Sequence, residues 1–279
     1  MLAMTMTLAT NLDARILVHG HRGARAVRPE NTLPAFEYAL QAGVDVLELD
    51  LAVTKDNVVV VSHDPEMHPA ICTGPAGATT KVIREMTLAE LKQWDCGAKV
   101  NPDFPKQTPV PGTRVPTLDE VFQLAATTKV EFNIETKIFA SKPHLTPEPK
   151  EFARLVLEVV RKHKLESRVI LQSFDNRTLI AMAELAPGIR RSMLTPSGPG
   201  DRDRDWVELC REAANAQIIS PHYRLVTPEK VAAAHKAGLV VVPWTANDEA
   251  EWSKLEAAGV DAIISDDPAA LIAFLRRAK

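Results

Sequence analysis

Eight times along this chain a short β-branched run is followed by a stretch of helical periodicity, and few folds accommodate that alternation. The runs fall at 15–20, 44–53, 130–136, 168–174, 189–194, 216–220, 239–245 and 262–265. Helix-like segments follow at 32–41, 117–126, 149–164, 176–185, 205–214, 228–237, 248–257 and 268–277. Strand and helix in strict alternation predict one parallel sheet with its helices outside. The count of eight, with no run that reads as an edge, predicts an α/β fold closed as a (βα)8 TIM barrel. No shift of composition divides the chain, so 1–279 reads as a single unit.

Two stretches break the alternation. Residues 58–62 (VVVVS) follow the second run after only four residues, TKDN, too short for a parallel crossover of a dozen or more residues. Residues 44–62 are therefore expected to form a β-hairpin, which brings His63 and Asp64 back toward Glu48 and Asp50. Residues 64–116 then carry no clear strand and only one short helical stretch, 87–94. Its latter part, 102–116, holds five of the chain's 20 prolines, against 12 glycines in all, at Pro102, Pro105, Pro109, Pro111 and Pro116. Structureless loops of that length are uncommon unless functional, so it reads as a small insertion subdomain over the barrel mouth. Thr117 and Glu120 form a capping-box pattern that opens the next helix.

Composition narrows the function classes. Apolar residues make up 46 % and charged residues 25 %, as in an ordinary folded domain, and the net charge is −3. That balance offers no basic surface for nucleic acid and no means of stable membrane association. No stretch approaches the roughly 18 apolar residues of a membrane span. Cys72, Cys96 and Cys210 are spaced like neither a zinc site nor a disulfide framework, so free thiols in a reducing compartment are expected. The N-terminus lacks the pattern of a secretory signal, and the expected location is cytoplasmic, or periplasmic or secreted if a signal peptide has been removed. The oligomeric state is left open.

Reactive side chains gather at strand C-terminal ends, where barrel active sites are built. The first strand ends in His19-Gly20-His21-Arg22-Gly23, the second carries Glu48 and Asp50, and the third carries Glu135 and Lys137. Carboxylates two positions apart share one face of a strand. Three of them converging would repel one another unless a cation sat between, and oxygen ligands alone favour one divalent cation, Mg²⁺ or Ca²⁺, over Zn²⁺. Arg22 offers a planar fork and Lys137 a point charge to phosphate oxygens. His21 and His63 suit a general acid and base on opposite sides of a phosphorus. Acyl transfer is disfavoured, because no GxSxG-type nucleophile is present.

A lone His or Glu is more often structural, but buried carboxylates are rarely left unpaired, which favours the functional reading of this set. His19 is expected to point away from His21 and to serve structure or support. His68, His144, His163, His222 and His235 read as surface or core groups. Asp266 and Asp267, ahead of Pro268, read as a helix N-cap. Trp244 suits either packing or a wall for a small polyol.

These residues, in this order, resemble the glycerophosphodiester phosphodiesterase family. The matching stretches are HRGARAVRPENTLPAFEYALQAGVDVLELDLAVTKDNVVVVSHDP, NIETK, VILQSF, VVPWTAND and GVDAIISDDP. The resemblance implies a barrel with a small inserted subdomain and a divalent metal. It also implies hydrolysis of glycerophosphodiesters to glycerol 3-phosphate and an alcohol, by a proposed route through a cyclic phosphate. On it, His21 and His63 become the acid–base pair, Glu48, Asp50 and Glu135 the metal ligands, and Arg22 and Lys137 the phosphate contacts, with Trp244 near the glycerol. Asn57 stands where many members have Gly, and Asn tolerates the left-handed turn. Cys72-Thr73-Gly74-Pro75 has no assigned role. The rival readings are a lysophospholipase-D-like enzyme acting on lipids and a catalytically silent ligand-binding barrel.

Overall fold

The computed structural model describes residues 15–198 and 200–277; the N-terminal stretch read above for a secretory signal lies outside the described residues. Eight parallel strands form the barrel: β1 (Leu17–Gly20), β2 (Val46–Val53), β4 (Glu131–Thr136), β5 (Val169–Ser173), β6 (Arg190–Thr195), β7 (Ile218–Pro221), β8 (Val240–Val241) and β9 (Ala262–Ser265). Their order around the sheet is β8-β7-β6-β5-β4-β2-β1-β9. Asp261 N donates to Val241 O at 3.1 Å and Ile264 N to Pro243 O at 3.0 Å, which brings the two ends of that order together. Outside lie α1 (Leu33–Ala42), α3 (Leu118–Leu124), α4 (Pro149–Lys162), α5 (Asn176–Leu185), α6 (Trp206–Glu212), α7 (Pro228–Lys236), α8 (Glu249–Ala258) and α9 (Pro268–Arg277).

The hairpin is present. The strand β3 (Val59–Val61) runs antiparallel to β2, with Leu51 opposite Val61 and Val53 opposite Val59. Its turn places Asn57 at φ 60°, in the left-handed region that asparagine tolerates.

Period-two alternation sorts the strand residues. Leu47, Leu49 and Leu51 of β2 and Phe132 and Ile134 of β4 face outward, where they are buried with Phe36, Phe122 and Phe152 of the helices. Each fully buried Leu or Phe contributes roughly 1.5–3 kcal/mol of hydrophobic stabilisation. Ile170, Ile218, Val242, Ala262 and Ile264 form a separate cluster inside the barrel. The intervening inward positions on β2 and β4 are left for Glu48, Asp50, Asn133 and Glu135.

Residues 64–116 build a third cluster. Met67, Ile83, Met86, Leu91 and Trp94 pack with Ala52 and Val60 of the hairpin. The only α-helical turn there among the described residues is α2 (Leu88–Leu91), shorter than the expected 87–94 and opened by a Thr87/Glu90 capping box. Cys72 and Cys96 are joined by a disulfide, which corrects the free-thiol expectation for that pair. Their separation of 24 residues gives no sign of pairing, but Thr73 and Asp95 exchange backbone hydrogen bonds of 2.7 and 2.9 Å and draw the cysteines together. Cys210 is a free, buried thiol. The disulfide removes the thiol argument for a reducing compartment. No helix among the described residues is long and apolar enough to cross a membrane.

Candidate active site

The register of β2 against β4 sets Asp50 opposite Glu135, and Glu48 follows two residues away on the same face. Ligand oxygens of Glu48, Asp50 and Glu135 all lie within 4.8 Å of one another, and all three side chains are buried. Each carboxylate is held by donors. Glu48 accepts from Arg22 N at 2.9 Å and Gln172 Nε2 at 2.7 Å, and Asp50 accepts from Asn31 Nδ2 at 2.9 Å. Lys137 Nζ lies 2.9 Å from Glu135 and 3.7 Å from Asp50.

Burial and the neighbouring Asp50 push the Glu48 carboxyl well above its usual range. Burial, helped by Asp50 and opposed by Lys137, pushes Glu135 up to about 7. Burial also acts on Asp50, but the charges of Arg22 and Lys137 win and hold it well below the ordinary value. A buried, all-oxygen set that resists full ionisation is short of positive charge. That is the donor chemistry of a hard divalent cation, so these residues fit the expected metal.

The β1–α1 loop is built to present Arg22. Arg22, Gly23 and Asn31 take left-handed φ values of 48°, 82° and 56°. A Cβ on Gly23 would lie 2.7 Å from the Ala35 backbone, so only glycine lets α1 come this close. The resulting turn aims Arg22 N at Glu48 and the guanidinium at Asp50, where Nε lies 3.1 Å from Oδ2. Arg22 Nε is buried yet has no aligned acceptor, which leaves one donor of the guanidinium unsatisfied. Glu30 accepts from Arg22 Nη1 at 2.6 Å and from Arg25 Nε at 2.7 Å.

The imidazoles flank the acids. His21 is 9 % exposed; its Nε2 is 4.0 Å from Glu48, and its Nδ1 is hydrogen-bonded to Asp266. Burial holds His21 below the usual imidazole range, against the pull of Asp266. His63, at the end of the hairpin, is half-buried and pairs through Nδ1 with Asp64 at 2.8 Å. Trp244 donates Nε1 to Ser220 O at 3.0 Å and meets Phe174 edge-on at 5.4 Å. Lys137 Nζ lies 5.8 Å from the Phe174 ring, so this aromatic pair borders the same mouth.

Two expectations change. His19 does not point away from His21, since residues two apart on a strand share a face. It projects into the barrel and meets Asn133 at 3.4 Å, and burial pushes its pKa down to about 3, a structural imidazole. Asp266 does not cap α9; Asp267 does, accepting from Ala270 N at 3.1 Å. Sequence reasoning also missed Glu30, Asn31, Gln172 and Asn247. Inward alternation on 168–174 was a signal for Gln172. Only folding of the β1–α1 loop reveals Glu30 and Asn31.

Known proteins share this architecture. The model of the glycerophosphoryl diester phosphodiesterase family matches residues 21–270. A glycerophosphodiester phosphodiesterase of Caldanaerobacter subterraneus subsp. tengcongensis is 33 % identical, covering 94 % of this chain and 99 % of that one. A Silicibacter pomeroyi DSS-3 crystal structure, provisionally named for the same activity, superposes with TM-score 0.87 at 33 % identity, covering 95 % and 94 % of the two chains. An Oleispira antarctica phosphodiesterase, solved with the product sn-glycerol-3-phosphate, superposes with TM-score 0.78 at 25 % identity, covering 94 % and 97 %. Matched along nearly all its length in both sequence and barrel, the chain belongs to the glycerophosphoryl diester phosphodiesterase family and is an enzyme of that class.

Proposed function

We propose that this enzyme hydrolyses small glycerophosphodiesters to sn-glycerol 3-phosphate and an alcohol, with one divalent cation, Mg²⁺ or Ca²⁺, and histidine acid–base catalysis. The observation that carries the reading is the buried trio Glu48, Asp50 and Glu135 flanked by two imidazoles and two cationic side chains. The trio would hold the cation, which neutralises phosphate charge and polarises the phosphorus. Arg22 and Lys137 bind the remaining phosphate oxygens. His21 and His63 exchange protons with the attacking and leaving oxygens. Trp244 and Phe174 supply an apolar wall for the glycerol carbons. Residues 64–116 lie over the mouth on the His63 side and help choose the alcohol.

The test is release of glycerol 3-phosphate from glycerophosphocholine, with and without a chelator, beside a lysophospholipid. Release from the small diester that stops on chelation and returns with Mg²⁺ or Ca²⁺ is expected. Full turnover after chelation would sink the metal assignment, and preference for the lysophospholipid would move the substrate class to lipids.

A further inference from the structure

We propose that Asp266 is a positioning residue that fixes the tautomer and aim of His21, and that Asn247 decides how the Asp266 carboxylate is used; this rests on His21 acting as proposed above. Asp266 stands just past β9, one oxygen on His21 Nδ1 and the other accepting from Asn247 Nδ2 at 2.7 Å. Asn247 has no freedom in that contact. Its Oδ1 is held by Asp266 N at 2.9 Å and Ser265 Oγ at 3.3 Å, so its NH₂ must face the carboxylate. Asp266 is 4 % exposed, so these bonds are shielded from bulk solvent.

The consequence for His21 follows from hydrogen-bond counting. A neutral imidazole has one N–H and one lone pair, and an ionised carboxylate only accepts. Nδ1 therefore carries the proton. Nε2 is left with its lone pair on the side of Glu48, where the reacting phosphate would lie. His21 is thus ready to take a proton at Nε2, and the resulting imidazolium stays paired with Asp266. None of this is needed to end or start a helix, because Asp267 already caps α9.

Asn247 offers a partner that can be exchanged with Asp266. In Asp266→Asn the new side chain must turn its oxygen to the Asn247 NH₂ and its own NH₂ to His21 Nδ1. That forces the proton onto Nε2, the wrong nitrogen. Adding Asn247→Asp reverses the arrangement, since a carboxylate at 247 accepts the new NH₂ and leaves the amide oxygen for His21 Nδ1–H. The exchanged pair should restore the tautomer without restoring the original residues.

Two readouts separate this from a failure of the functional reading. Nitrogen-15 NMR of the His21 ring needs no turnover: wild type should show Nδ1–H, Asp266→Asn should show Nε2–H, and the double variant should return to Nδ1–H. In glycerophosphodiester turnover, Asp266→Asn should lose roughly 10²-fold or more in kcat with KM little changed, and the double variant should recover at least tenfold. A wild-type enzyme without turnover would sink the functional reading while the tautomer still decides this one. An unchanged tautomer in Asp266→Asn, kcat within about twofold of wild type, or no recovery in a folded double variant would overturn the proposal.

Discussion

Glu30 grips Arg22 from behind: its Oε1 accepts from Nη1 at 2.6 Å, and the same carboxylate reaches Asn101 Nδ2 at 3.1 Å in the 64–116 segment. A residue outside the acid cluster thereby sets the aim of a proposed phosphate ligand. In Glu30→Ala the guanidinium is free to collapse onto Asp50, whose Oδ2 is already 3.1 Å from Nε. We expect kcat/KM to fall about tenfold, mostly through KM, the scale of one charge-assisted hydrogen bond. Steady-state kinetics on glycerophosphocholine checks this. An unchanged KM would show that Arg22 needs no support.

Glu30 also makes stability depend on acid. Burial raises its carboxyl pKa, but Arg22 and Arg25 outweigh burial and hold it below the ordinary value. A carboxylate depressed in the folded state stabilises fully above the unfolded value of about 4.3 and loses that contribution as pH falls through the lower folded value. Urea unfolding between pH 7 and 3 should therefore fall more steeply at its acid end in wild type than in Glu30→Gln. Parallel curves would deny Glu30 this role.

The acid trio predicts a stability response to cations. A ligand bound only by the folded state at 100 times its Kd adds about 2.7 kcal/mol. Thermal melts of the chelated protein should rise on titration with Mg²⁺ or Ca²⁺, and Glu135→Gln should need at least about tenfold more cation for the same rise. Equal responses would take Glu135 out of the ligand set.

Gly23 tests how tightly the β1–α1 loop is built. At φ 82°, with a Cβ bound to meet the Ala35 carbon, Cβ and oxygen at 2.7–2.9 Å, Gly23→Ala must move backbone. A loss of about 2 kcal/mol or more is expected, with activity falling because Arg22 moves too. A melting temperature within a degree of wild type would contradict the close approach.

Legibility in the sequence followed periodicity. Glu48 and Asp50 declared a shared face by spacing alone, and the four-residue TKDN link fixed the hairpin because nothing longer could be intended. Roles that depend on three-dimensional return were hidden. Asp266 lies 245 residues from His21, and its neighbour Asp267 mimics it as a cap, so chain position could not tell them apart. Cys72 and Cys96 pair only because Thr73 and Asp95 form an isolated bridge in a segment with no strand pattern to read. His19 and His21 are two positions apart, so the period of the strand already sets them on one face.

The ends of the 64–116 segment meet. Val61 N donates to Pro116 O at 2.8 Å, and Val60 bridges Thr117, so the chain leaves the hairpin and re-enters the barrel at one point. A stretch hung from adjacent stems behaves as a cassette. With its stems adjacent, a change in its length need not move the strands on either side. Its anchoring to the barrel loop is correspondingly sparse in backbone terms, with Thr108 N on Val27 O at 3.0 Å beside the side-chain ties of Asn101 and Gln107. In the function proposed, substrate choice and phosphate chemistry thus fall to different parts of the chain, joined through the contact of Asn101 with Glu30.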